Sequence, residues 1–223
     1  QRLLVPLLRA RGEQAVDMLL LSHSDTDHVG GAAALMASLP VAALVTTIAA
    51  EHPLRVAPVP HADCTAGRRW RWDGVDFELL HPPPGALPAP PGRRPNTLSC
   101  VLRVQDARGA SVLLSGDLEA AQEAALALTA PAALRADVLM VPHHGSRTSS
   151  SEIFLDAVGP RIAFVQAAYR SRFGHPAPDI VARYDARGIR VVRSDRCGAW
   201  TWDGEGEGQC ERERRRRYWH HRL

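Results

Sequence analysis

The sequence predicts an α/β protein, a sandwich of two mixed sheets between helices. Three observations predict it. Apolar runs come first as paired strands and later as strands alternating with helices. Hydrophobic residues make up 45% and charged residues 23%, the balance of a globular chain; fibrous, coiled-coil and wholly disordered classes are excluded. A length of 223 residues suits one sizeable core, so a single domain over residues 1–223 is expected.

Each element has a local reason. Leu3–Arg11 has amphipathic spacing, with Gly12 as its stop. Met18–Leu21 is a short apolar strand that ends at Ser22-His23. From Val29 to Ala50 there is no charged residue, a length that could span a bilayer. Gly30, Gly31 and Pro40 break it and Ser38, Thr46 and Thr47 are polar, so it divides into a helix near Ala32–Leu39 and a strand near Val41–Thr46. No transmembrane helix and no signal peptide are expected. Trp70–Trp72 and Val75–Leu80 flank Asp73-Gly74, a hairpin signal. Residues 82–95 hold seven of the 17 prolines and form a long loop.

Leu98–Val104 and Ser111–Leu114 pair around Asp106–Gly109. Leu118–Leu128 is an alanine-rich helix, and Val138–Val141 a buried strand. Ser149-Ser150-Ser151-Glu152 is a capping box for a helix through Val158. Ile162–Val165 is a strand. Pro178 opens a helix with Ile180, Val181 and Tyr184, which Gly188 stops. Ile189–Val192 is a strand, and Ala199–Trp202 with Gln209–Glu213 a final hairpin. No internal repeat is present.

The 27 basic residues are all arginine, the better side chain for bidentate phosphate binding, although codon bias gives the same composition. The net charge of +3 is mild, so attraction to polyanions must come from local patches. Ser146, Arg147, Arg170 and Arg172 lie beside the candidate ligands named below. The end of the chain, residues 211–223, is basic and aromatic. Arg214, Arg215 and Trp219 there suit phosphate and base contacts, against the reading of a solvated tail. Cys197 and Cys210 flank the last hairpin and could pair across it, and Cys64 with Cys100 could form a second bridge. Four buried free thiols are the alternative.

The strongest chemical signal is His23-Ser24-Asp25-Thr26-Asp27-His28-Val29-Gly30-Gly31, directly after an apolar strand. A strand end fixes the backbone, and a tight loop lets His23, Asp25, Asp27 and His28 converge on a metal. Asp117 ends another strand and suits either a metal ligand or a helix N-cap. His143 and His144 follow Val138–Val141 and offer one ligand plus one proton donor. His175 follows Ile162–Val165. His52 and His61 read as surface residues, and His81 receives no role.

These residues carry a family resemblance. The first motif resembles the HxHxDH signature of the metallo-β-lactamase fold, with Asp25 in place of the second histidine. In its HxDxDHxGG form it resembles the C-terminal nuclease-like domain of ComEC-type competence proteins. The likeness continues through Leu4–Gly12 and Val16–Leu21, and through Trp70-Arg71-Trp72 and Leu80-His81-Pro82. It runs on through Asn96-Thr97-Leu98-Ser99 and Leu114-Ser115-Gly116-Asp117. It ends with Val141-Pro142-His143-His144-Gly145-Ser146 and Gly174-His175-Pro176.

The resemblance implies an αββα fold whose opening strands precede Gln1, leaving the first sheet incomplete. It implies a nuclease with two divalent metal ions bridged by Asp117. The ligands would be His23, Asp25, Asp27, His28, Asp117, His143 and His175. Asp27, Asn96, His144 and Asp117 would take part in catalysis. Asn96 stands near where the fold expects a histidine. With Asp25, that moves the site toward oxygen ligands and toward manganese, with magnesium and zinc as alternatives. The implied partners are DNA, whose non-transported strand is degraded, and the membrane channel portion of the same parent protein. No nucleotide cofactor is implied. The parent would sit in the bacterial inner membrane with this domain on its extracytoplasmic side. Two other readings stay open: a hydrolase of a small ester, lactone or lactam, and a non-catalytic DNA-feeding domain.

Overall fold

The structure is a computed structural model that describes residues 3–90 and 92–217. Strands β1 (Leu19–Leu21), β2 (Leu44–Thr46) and β3 (His61–Asp63) form a parallel sheet in that order. A seven-stranded mixed sheet holds β4 (Arg69–Trp72), β5 (Val75–His81), β6 (Val101–Gln105), β7 (Ser111–Leu114), β8 (Val138–Met140), β9 (Ile162–Val165) and β10 (Arg190–Arg193), side by side in chain order. From β4 to β7 the neighbours are antiparallel; from β7 to β10 they are parallel. The short strands β11 (Trp200–Thr201) and β12 (Gln209–Cys210) pair antiparallel.

The helices are α1 (Leu4–Ala10), α2 (Thr26–Val29), α3 (Ala32–Met36), α4 (Pro53–Val56), α5 (Ala120–Thr129), α6 (Pro131–Leu134), α7 (Glu152–Val158), α8 (Pro178–Asp185), α9 (Ser194–Cys197) and α10 (Glu211–Arg214). Among the described residues no helix is long and apolar enough to cross a membrane.

Alternation along the strands sorts the layers. Leu113, Leu139 and Ala163 pack with Leu126 of α5, Phe154 of α7 and Ile180 of α8. Leu79 and Leu102 on the opposite face meet Val45 and Leu20 of the small sheet. Leu21 and Leu44 turn outward to Ala32 and Ile48, and Val5 of α1 packs with Leu35 and Leu39. The fully buried Leu113, Leu139 and Phe154 each contribute about 1.5–3 kcal/mol of burial. The small sheet is too narrow to cover the large one. Val138, Ile162 and Val192 are instead covered by Trp200, Trp202, Cys197 and Cys210 of the C-terminal hairpin.

Both cysteine pairs form disulfides, Cys64–Cys100 and Cys197–Cys210. The Asp73-Gly74 turn has both residues at positive φ, 47° and 81°, which a two-residue hairpin of this hand needs.

Three expectations are corrected. Pro95–Leu98 is a 3-10 turn, because Pro95 cannot donate to a ladder, so β6 begins only at Val101. The capping box does not form. Ser149 Oγ donates to the Pro142 and Ser146 carbonyls, and the α7 cap residue is Ser151, without a side-chain cap bond. The amides of Ser150 and Ser151 instead donate to the buried Glu123 carboxylate at 2.6 and 2.7 Å. Finally, Glu211 leaves the last hairpin for α10. Strand β3, with exposed His61 at its start, is a strand the pattern does not reveal.

Candidate metal centre

The candidate ligands meet where strands end. β1 delivers Ser22-His23, and α2 follows with Asp27 and His28. β7 delivers Asp117, β8 delivers His143 and His144, and the segment after β9 delivers His175. The carboxyl ends of parallel strands are where open α/β sheets place their sites.

Asp117 sits at the centre and is almost fully buried. Its Oδ1 lies 3.2 Å from His28 Nε2. Its Oδ2 lies 3.6 Å from His144 Nε2 and 3.9 Å from both His23 Nε2 and His143 Nε2. Asp117 is not a helix cap: the α5 cap residue is Glu119, and Asp117's own amide donates to Ser99 Oγ. Asp27 Oδ2 lies 3.3 Å from His144 Nε2 and 3.9 Å from His28 Nε2. Asp25 Oδ2 lies 3.6 Å from His23 Nε2. Asp27, His28, Asp117 and His144 together offer four ligand atoms all within 4.8 Å of one another.

Outer partners hold the rings. His144 Nδ1 donates to the Gln166 carbonyl at 2.9 Å. Ser22 Oγ lies 3.0 Å from both His23 Nδ1 and His28 Nδ1, and Ser99 Oγ lies 3.3 Å from His23 Nδ1. His143 Nδ1 lies 3.0 Å from Thr148 Oγ1. Such contacts on the far ring nitrogen orient metal-binding histidines. The sequence reading missed Ser22, Ser99, Thr148 and His81. Ser22 could have been found as the strand-end residue that precedes the motif. His81 is buried and donates from Nδ1 to the Ser99 carbonyl at 2.7 Å, which fixes the segment carrying Ser99.

The backbone is strained here. His143 and His144 have φ of 49° and 54°, a left-handed conformation that costs non-glycine residues roughly 1–3 kcal/mol each. The His143 amide donates to the Gly116 carbonyl and helps hold it.

The charges are strongly coupled. Burial and the neighbouring His28 push His23 down to about 4. Burial works against a charged His28, but Asp117 outweighs it and raises its pKa. Burial disfavours the Asp117 carboxylate, yet His28, His144 and His23 overcome this and lower its pKa. Burial and then His143 and His144 lower His175.

The polar accounting fits a cation. His23 Nε2, His28 Nε2, His144 Nε2, Asn96 Oδ1 and His175 Nδ1 are buried with no hydrogen-bond partner. The His28 Nε2 contact with Asp117 is close but out of line for a bond. Each such orphan costs about 1–3 kcal/mol. His144 is the clearest case. Its Nδ1–H is committed to a carbonyl, which leaves Nε2 to face the Asp27 and Asp117 oxygens at 3.3 and 3.6 Å. Imidazole nitrogens without hydrogen bonds, gathered with carboxylate oxygens, suit a divalent metal.

The other candidates divide. Asn96 and His143 join the cluster, Asn96 Nδ2 standing 3.5 Å from His143 Nε2. The His175 ring lies 6.1 Å from that of His143. The four-atom group includes His144 and not His143, a choice the sequence leaves open. Ser146 Oγ lies 3.2 Å from Thr148 Oγ1, and Arg147 Nε pairs with Asp179 at 3.1 Å on the surface. Arg170 and Arg172 lie over Tyr169 and Phe173. Arg214 and Arg215 both pair with Glu211 on α10. Trp219 lies outside the described residues.

Residues 2–168 match the Metallo-beta-lactamase superfamily. The chain is 39% identical over 196 residues to the Competence protein ComA of Neisseria gonorrhoeae, covering 88% of this chain and 26% of that protein. It is 35% identical over 180 residues to Recombination protein 2 of Haemophilus influenzae, covering 81% and 21%. It is 30% identical over 212 residues to ComE operon protein 3 of Bacillus subtilis, covering 89% and 26%. The chain thus spans about a quarter of the length of these relatives. A CmlA beta-hydroxylase structure shares the fold with a TM-score of 0.53 at 13% identity, covering 81% of this chain and 43% of that one. With the family match and the cation-ready cluster together, the chain belongs to the metallo-β-lactamase superfamily of metal-dependent hydrolases.

Proposed function

We propose that the chain is a metal-dependent DNA phosphodiesterase, working with two divalent cations, manganese before magnesium or zinc. Its role would be to degrade the non-transported strand during DNA uptake. The observation behind the metal reading is the gathering of Asp27, His28, Asp117 and His144 ligand atoms within 4.8 Å, with His144 Nε2 lacking a hydrogen-bond partner. DNA as substrate is supported by relatives named for competence and by Arg170 and Arg172 close to His175 in the chain.

Divalent cations bound here would supply a water of lowered pKa and would neutralise charge on phosphoryl oxygens. Asp117 presents Oδ1 to His28 and Oδ2 to His23, His143 and His144, the arrangement of a shared carboxylate. Asp27, His28 and His144 would hold one ion with it. His23, Asp25, Asn96 and His175 would serve the other. That frees His143 to deliver a proton to the leaving oxygen. Its Nδ1 has Thr148 at 3.0 Å and Glu119 at 4.0 Å to orient the ring. Two disulfides support an extracytoplasmic position, beside the channel portion of a parent in the bacterial inner membrane.

The test is cleavage of labelled single- and double-stranded DNA with Mn²⁺, Mg²⁺ or Zn²⁺, against an Asp117→Ala control. Metal-dependent cleavage lost in the variant is expected. Equal cleavage by both proteins overturns the reading, as does hydrolysis of a lactone or lactam with none of DNA.

A further inference from the structure

The segment that brings His175 to the cluster also displays aromatic rings to solvent. Phe173 is 67% exposed, the most open aromatic ring among the described residues. Its ring lies 5.9 Å from that of His175, tilted by only 22°, and the Arg172 guanidinium stands 4.7 Å from its centre. Arg170 stands 5.3 Å from the centre of the Tyr169 ring. Beside them opens a cavity of about 670 Å³, lined by Arg170, His175, Arg193 and Arg196. That volume lies in the range of small-ligand sites, ~300–1,000 Å³. Arg193 is committed to Asp195 at 2.9 Å. Among the described residues, Arg170, Arg172 and Arg196 pair with no carboxylate.

We propose that this segment is a stacking clamp for single-stranded nucleic acid. An unpaired base lies on the Phe173 ring, and Arg170, Arg172 and Arg196 take the phosphates beside it. The strand then runs past His175 into the cluster. This deepens the phosphodiesterase reading and rests on it, because it names the substrate form that the same site admits. A flat exposed ring gains nothing for the fold by facing water. Guanidiniums without carboxylates ask for an anion, and the ring asks for a flat apolar face. Nucleic acid supplies both in alternation. A duplex keeps its base faces inside the stack, so only an unpaired base can use Phe173. An exposed cation–π contact is weaker than a base–aromatic stack, so the base can displace Arg172 toward the backbone.

The test is equilibrium binding in EDTA, where no cleavage occurs, by anisotropy of three labelled probes. They are an oligothymidylate, an abasic strand of equal length and a duplex. The chain should bind oligothymidylate tightest. Phe173→Ala should weaken that binding about tenfold and leave the abasic strand and duplex unchanged, while Phe173→Trp retains it. Arg170→Ala and Arg172→Ala should weaken all three probes and flatten the salt dependence. Unchanged melting temperatures confirm that these surface variants fold. Equal affinity for oligothymidylate and abasic strand, or no effect of Phe173→Ala, overturns the clamp. So does binding to phosphatidylglycerol vesicles that Phe173→Ala abolishes while DNA binding persists, which would make the ring a membrane contact. Failure of DNA cleavage in the metal assay touches the phosphodiesterase reading and leaves this measurement intact.

Discussion

Gly145 lies so tightly beneath Pro176 that a Cβ placed on it would come 2.6 Å from the Pro176 Cβ. The Ala177 amide also donates to the Gly145 carbonyl at 2.9 Å. The two histidine-bearing segments, His143-His144 and His175, are thus fastened to each other one residue away from the ligands. Gly145→Ala must force them apart and must strain a residue at φ 80°. It should cost about 1–3 kcal/mol in urea unfolding and lower metal stoichiometry. Wild-type stability with full metal loading would refute this coupling.

Ser22 Oγ touches two rings at once. Ser22→Ala should release both His23 and His28 from their orientation and weaken metal affinity about 10–100-fold. Titration of the apo protein with Mn²⁺ by calorimetry reads it. Ser99→Ala should weaken that affinity as well, because Ser99 Oγ reaches the His23 ring and accepts from the Asp117 amide.

The metal-free protein should lose stability in mild acid. His23 sits at about 4 in the fold against 6.5 in the open chain. Between these values the unfolded chain binds more protons, so stability rises with pH across that window and falls as pH drops through it. The size is on the order of 3 kcal/mol; the lowered Asp117 adds loss only below its ordinary 3.8, beneath that window. The raised His28 acts oppositely, contributing stability below 6.5 that is lost as pH rises through its folded value. Urea midpoints in EDTA from pH 7.5 to 4 measure the net slope, which His23→Gln should flatten.

Reduction should destabilise the chain through two separate loops. Cys64–Cys100 closes a separation of 36 residues and Cys197–Cys210 one of 13. Chain entropy assigns roughly 3–4 kcal/mol to the longer loop and about 3 kcal/mol to the shorter. Melting curves of the two Cys→Ser pair variants separate them. Only loss of the Cys64–Cys100 bond should also weaken metal binding, because Cys100 follows Ser99.

Much of the fold is legible because most strands are short apolar runs with punctuation at their ends. Asp73-Gly74 marks its hairpin, and Pro178 and Gly188 bracket α8. The first motif is legible because its ligands are local in sequence. What stays hidden depends on partners far along the chain. Ser149-Ser150-Ser151-Glu152 has the pattern of a self-contained cap, but Glu123, 27 residues earlier, takes the amide. β3 stays hidden because His61-Ala62-Asp63 has no apolar signature and becomes a strand only against β2. The order of His143 and His144 is invisible because adjacent residues look equivalent until the left-handed backbone turns their rings apart. Their ring planes stand at 67°.

The C-terminal hairpin sets a limit on how the basic tail can be studied. Trp200, Trp202 and Cys210 roof the strands that the small sheet leaves bare. Cutting the chain after Arg214 would remove the tail and spare that roof. Cutting it before Ala199 would strip Val138, Ile162 and Val192 to solvent and leave Cys197 without its mate. A shortened protein of the second kind would report aggregation in place of any lost DNA contact.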